Sequence, residues 1–118
     1  MQEYVKSIDT PDEKRDFPQG KLELVNLAGL MFGRGTFQPG WRWTTSLKEI
    51  AGTDMCMVPH KGYIVSGHMT IEMADGTRIE CGPGDVFVAD PGHDAWVVGD
   101  EPCVAFDFSG GMGDYART

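Results

Sequence analysis

The stretch "TDMCMVPHKGYIVSG", residues 53–67, carries three side chains whose types can do chemistry: Asp54, Cys56 and His60. They offer carboxylate oxygen, thiolate sulfur and imidazole nitrogen. Such a mixture suits Zn(II) better than Fe(II) or Ni(II). Residues 54 and 56 lie two apart, so on a strand their side chains would share one face. A plainer reading of the same residues stands beside this one. A free cysteine usually behaves as a small buried hydrophobe. Asp54, following Gly52-Thr53, can close a turn through its own backbone, and His60 can be a hydrogen-bonded imidazole without a ligand role.

The elements that must position these residues are strands. "KLELVNLA" (21–28) alternates Leu22 and Leu24 with polar partners, the period of a half-buried strand. "LMFGRGTF", "DMCMV", "GYIVS", "HMTIEMA", "TRIEC", "DVFVAD", "DAWVV" and "CVAFDF" follow as short apolar runs. They are separated by Pro39-Gly40, Pro59, Ser66-Gly67, Asp75-Gly76, Gly82-Pro83-Gly84, Pro91-Gly92 and Gly99-Asp100. Asp75-Gly76 is the strongest hairpin signal, because both positions tolerate positive φ. Roughly nine strands with turns every 8–12 residues predict a sandwich or barrel. Residues 44–53 are expected to form a long loop. Residues 1–20, charged and holding Pro11 and Pro18, are expected to be a loosely held arm with one strand near Tyr4–Ile8, and 21–118 a single domain.

Bulk properties narrow the function. The 118 residues suffice for one core and not for two. A net charge of −8 opposes binding to nucleic acid or to anionic membrane surfaces. Cys56, Cys81 and Cys103 are odd in number and lack CxxC pairing, which argues against a disulfide framework or a zinc ribbon. No apolar stretch is long enough for a bilayer, and the N-terminus lacks the apolar segment of a signal peptide, so a cytoplasmic protein is expected.

The run "HKGYIVSGHMTIEMADGTRIECGPGDVFVADPG", residues 60–92, resembles the centre of the cupin family: a strand, a Ser-Gly turn, an Asp-Gly hairpin, Gly-Pro-Gly-Asp, and a strand ending in Pro-Gly. "TFQPGWRW" upstream and "HDAWVVGDEPCVAFDF" downstream are similar to the flanking segments of small cupins, so the likeness spans about residues 21–108. It implies an all-β fold, a double-stranded β-helix or jelly-roll barrel. It also implies a homodimer, which small cupins often form through an outer sheet or an N-terminal strand.

A metal-binding cupin usually carries His-x-His, then Glu, then Gly, and later Pro-x-Gly-x-x-His. Counting back from Gly67 puts His60 at the Glu position and Cys56 and Asp54 at the His-x-His positions. In the second motif Gly92 matches, Asp90 replaces Pro, and Ala95 stands at the His position. His93 comes two residues earlier with the same parity. The resemblance therefore keeps the spacing and changes every ligand. Three functions follow from it, the third of them a degenerate barrel kept as a dimeric interaction module. The first is a metal-free cupin that binds a small organic molecule. The second is a divalent-metal-dependent enzyme of dioxygenase, isomerase or lyase type, with Asp54, Cys56, His60 and His93 as ligands.

Arg42, Trp43 and Trp96, together with His60, are the candidates for ligand binding. Aromatic walls with one guanidinium form a common plan for holding a small carboxylate, although large aromatics also simply fill small barrels. Tyr63 is expected on the outer sheet face, His68 at the surface, and Met55, Met57, Met69 and Met73 in packing roles.

Overall fold

The computed structural model describes residues 4–110 and 115–116. Nine strands lie among the described residues: β1 (Glu13–Phe17), β2 (Gly20–Leu27), β3 (Leu30–Phe37), β4 (His60–Ser66), β5 (His68–Met73), β6 (Arg78–Cys81), β7 (Val86–Ala89), β8 (His93–Val98) and β9 (Cys103–Asp107). Six of them form one antiparallel sheet in the order β1-β2-β3-β9-β4-β7, and three form a second in the order β6-β5-β8. Two single helical turns, α1 (Trp43–Ser46) and α2 (Lys48–Ala51), connect β3 to the segment before β4.

Alternation decides which side chains meet between the sheets. Leu22, Leu24, Ile64 and Ala105 face inward from the larger sheet, and Met69, Ile71, Ala95 and Val97 from the smaller, making one core. The chain changes sheets between β4 and β5 at Gly67, whose φ is +76°. A side chain there would strike the backbone of Pro102 and Cys103, so only glycine fits the corner. The next hairpin is closed by Asp75-Gly76 as expected, with Met73 N–H donating to Thr77 O at 2.8 Å and Thr77 N–H to Asp75 Oδ1 at 2.9 Å.

Three expectations are corrected. "DMCMV" does not form a strand; within it Cys56 alone makes an isolated bridge, to His93. The strand of the N-terminal arm is Glu13–Phe17, paired along its length with β2, while Tyr4 and Val5 stand exposed. Residues 43–51 are helical turns and not a long loop. Gly52 ends them in the left-handed conformation at φ 73°, its N–H donating to Lys48 O at 2.9 Å. Among the described residues, no helix is long and apolar enough to cross a membrane.

Candidate metal centre

Cys56, His60 and His93 come together at one end of the space between the sheets, one donor atom from each lying within 4.8 Å of the others. The backbone explains the convergence. Cys56 N–H donates to His93 O and Gly92 N–H to Cys56 O, both at 2.8 Å, which clamps the loop residue beside the start of β8. His60 is the first residue of β4 and shares the inward face of Gly62 and Ile64. His93 follows Gly92 and is 2% exposed, so the turn directs its ring into the protein. The two imidazoles meet edge to face, with centroids 5.0 Å apart.

Each ring has one nitrogen committed elsewhere. His60 Nδ1 donates to Asp107 Oδ2 at 2.7 Å, and His93 Nδ1 donates to the Asp90 carbonyl at 2.7 Å. That leaves Nε2 as the nitrogen of each ring with a lone pair to offer, which is how carboxylate or carbonyl partners prepare metal-binding histidines. Burial is the main cause that lowers the His93 pKa and so favours its neutral, ligating form. Cys56 Sγ lies 3.7 Å from His60 Nε2. Its thiol is pushed up to about 11, chiefly by burial, and stays protonated at neutral pH while no cation is beside it.

Asp54 does not join this group. Its side chain is 97% exposed and pairs with Lys48 Nζ at 3.5 Å. The strand that would have carried residues 54 and 56 on one face is absent, and the chain after Gly52 runs outward before Cys56 is clamped.

The site opens on a cavity of about 50 Å³ walled by Phe37, Trp41, Trp43, Met69, Ile71 and Phe87, with His60, His93, Asp107 and Tyr115 at its polar end. Trp43 is therefore in the wall. Arg42 and Trp96 are not among the lining residues. Arg42 is extended (φ −143°, ψ 137°), so its side chain points opposite to those of Trp41 and Trp43. Its Nε donates to Asp94 Oδ2 at 2.8 Å, and its guanidinium lies 4.6 Å from the Trp96 ring centroid. Arg78 lies over the same ring at 5.2 Å. Tyr63 and His68 are exposed as expected, Met69 is buried, and Met57 is exposed.

Asp107 and Tyr115 escaped the sequence reading as site residues. Asp107 had a usable signal: it shares the inward parity of Cys103 and Ala105 on β9, so a carboxylate there had to point into the core. Tyr115 gave none, because nothing in "GGMGDYART" marks a return to the barrel.

A family model described as EutQ-like cupin domain matches residues 36–104. The chain belongs to the cupin family. No curated protein matches it. Solved structures agree on the fold. A conserved uncharacterised protein with a double-stranded β-helix domain from Klebsiella pneumoniae is 16% identical with a TM-score of 0.58, the alignment covering 90% of this chain and 88% of that one. A protein of unknown function from Acidithiobacillus ferrooxidans is 20% identical, with a TM-score of 0.59 over 84% and 88% of the two chains. The cumin domain of CENP-C from Drosophila melanogaster is 17% identical, with a TM-score of 0.60 over 81% and 70%. This cupin is thus an all-β double-stranded β-helix, and its resemblance to proteins this diverged speaks for fold alone.

Whether this cupin's residues suit a metal is a question for the donor set. One sulfur and two imidazole nitrogens, the latter held by Asp107 and Asp90, fit a borderline-soft divalent ion such as zinc.

Proposed function

We propose that this cupin binds a divalent transition metal, zinc by preference, through Cys56 Sγ, His60 Nε2 and His93 Nε2, and that it acts on a small organic molecule in the adjoining cavity. The observation that carries this reading is the pair of imidazoles whose Nδ1 atoms are both engaged, with His60 Nε2 3.7 Å from the Cys56 thiol and one nitrogen of His93 within 4.8 Å of both donors. Three protein ligands are the number found where zinc does chemistry, because a fourth position stays open. The metal would supply Lewis-acid polarisation of a substrate oxygen. The chain's own residues do the rest. Asp107 holds the His60 ring and its tautomer, the Cys56 thiol gives up its proton on binding, and the aromatic walls exclude water.

A metal-free ligand binder is the second reading. It is favoured by the burial that keeps the Cys56 thiol protonated. Homodimerisation belongs to the proposal as well. The outer face of the larger sheet exposes Val86 and Val88 on its edge strand beside Tyr63 and Val65 on β4, an apolar strip that a second copy would cover.

Elemental analysis of the purified, untagged protein and of His60→Ala tests the metal reading. Near-stoichiometric metal that is lost in the variant supports it. A wild-type protein still empty after incubation with zinc, iron, nickel and manganese sinks it and leaves the metal-free binder. Light scattering on the same samples gives the oligomeric state.

A further inference from the structure

The cavity beside His60 and His93 has a composition that selects its occupant by charge. No lysine or arginine is among the described residues that line it. The three cations adjacent in sequence to its walls lie elsewhere: Arg42 is held by Asp94, Arg34 by Glu23 and Asp9, and Lys61 is exposed. The charged side chain at its polar end is Asp107, which accepts from His60 Nδ1 and, through its other oxygen, from the Ser109 N–H at 2.9 Å and hydroxyl at 2.6 Å. An anionic ligand would therefore enter an apolar chamber without a lysine or arginine side chain and next to a carboxylate. Its desolvation would go uncompensated. A bound divalent ion would offer its open position to a carboxylate oxygen, so the charge argument applies to the metal-free protein.

The walls also hold a donor in search of an acceptor. Trp41 lines the cavity and is 2% exposed, and its Nε1–H is buried without a hydrogen-bond partner among the described residues. An unpaired buried N–H is costly, and its cost is recovered when a ligand oxygen accepts from it. The volume of about 50 Å³ is a third of that of a roughly 150 Å³ apolar cavity that takes benzene, which favours a small occupant.

From these observations we infer that the cavity takes a small uncharged molecule with a carbonyl or hydroxyl oxygen, which accepts a hydrogen bond from Trp41 Nε1–H, and that in the metal-free protein it rejects the matching carboxylate. The inference rests on the reading of this cavity as the ligand chamber and deepens it. It does not require the metal.

Acetamide and acetate have the same shape and differ in charge. Each is titrated into ¹⁵N-labelled protein, metal-free and zinc-treated, while the indole N–H signals are followed by NMR. Trp41→Phe assigns the Trp41 resonance, and Trp43 serves as the second reporter in the wall. In the metal-free protein acetamide is expected to shift the Trp41 signal saturably and acetate to leave it in place. Trp41→Phe is expected to weaken acetamide binding about fivefold as read at Trp43, the loss of one neutral hydrogen bond. Equal or tighter acetate binding by the metal-free protein overturns the inference, as does a Trp41 signal that acetamide never moves. The wild-type contrast decides the matter even where Trp41→Phe fails to fold. A protein that takes up no zinc yet responds to acetamide removes the metal reading alone; one that binds zinc and responds to neither probe removes this inference alone.

Discussion

His60 Nδ1 and Asp107 Oδ2 lie 2.7 Å apart, although the residue directly across from Asp107 in the β4–β9 register is Gly62. Asp107 thus reaches diagonally along the sheet to a residue two positions away. The contact fixes the ring plane and leaves Nε2 toward Cys56 and His93. Replacing the carboxylate by an amide keeps the size and weakens the acceptor. Asp107→Asn is expected to lower zinc affinity 10- to 100-fold, the usual effect of losing such a partner, as measured by competition with a chromophoric chelator. An unchanged affinity in a folded variant would show that the ring needs no such support.

Asp94 and Arg42 form an ion pair whose two ends have unequal weight. The Asp94 side chain is 5% exposed, whereas that of Arg42 is 46% exposed. Asp94 also accepts from Thr44 N–H, Thr44 Oγ1–H and Ala95 N–H, so it ties α1 to β8. Asp94→Ala strips those donors of their acceptor and is expected to cost about 2–3 kcal/mol of stability by urea denaturation. Arg42→Ala is expected to stay within about 1 kcal/mol and to leave zinc and acetamide binding unaltered. A loss of acetamide binding in Arg42→Ala would restore the guanidinium to the ligand site.

Burial raises several acids above their ordinary range. The thiols are pushed up to about 11 at Cys56 and about 12 at Cys103, and the Tyr115 phenol is pushed up as well. A folded pKa above the unfolded one means that, at alkaline pH, the unfolded chain releases protons the folded chain keeps. Stability from these groups is complete below about pH 9, where unfolded thiols begin to ionise, and declines as pH rises toward the folded values. The melting temperature of chelator-treated protein should therefore fall steadily between about pH 9 and 11, and Cys103→Ala should flatten that fall. A flat wild-type profile over this window would mean the thiols are solvated in the folded state.

Period-two reasoning carried most of the fold. Eight of the nine strands coincide with runs that alternation and turn residues marked out, because in a two-sheet protein each strand must bury one face. Two strands were wrongly placed, the N-terminal one, which is Glu13–Phe17 and not near Tyr4–Ile8, and "DMCMV", whose failure has a physical source. Gly52 and the clamp between Cys56 and His93 hold residues 53–58 as an irregular loop, so the parity argument linking Asp54 to Cys56 had no strand to act on. Parity applied to Trp41, Arg42 and Trp43 would have put the arginine outside. The pairing of His93 with the Asp90 carbonyl lies in a turn, where no alternation holds.

Tyr115 stands between two chambers. It lines the inner cavity at His60 and also an outer one of about 160 Å³ bounded by Leu47, Ala51, Cys56 and Val58, and Trp43 is shared by both. Its ring meets His60 at 5.5 Å and Phe17 at 6.2 Å, both edge to face. Its carbonyl accepts from Arg15 Nη1 at 2.7 Å, which fastens the chain's return to β1. Removing the ring joins the chambers and lets solvent reach Trp41 and Trp43, which are now 2% and 3% exposed. Tyr115→Ala should therefore raise acrylamide quenching of tryptophan fluorescence toward that of an exposed indole, while Tyr115→Phe, which keeps the ring, should match the wild type. Equal quenching in all three proteins would mean that the walls close without the tyrosine.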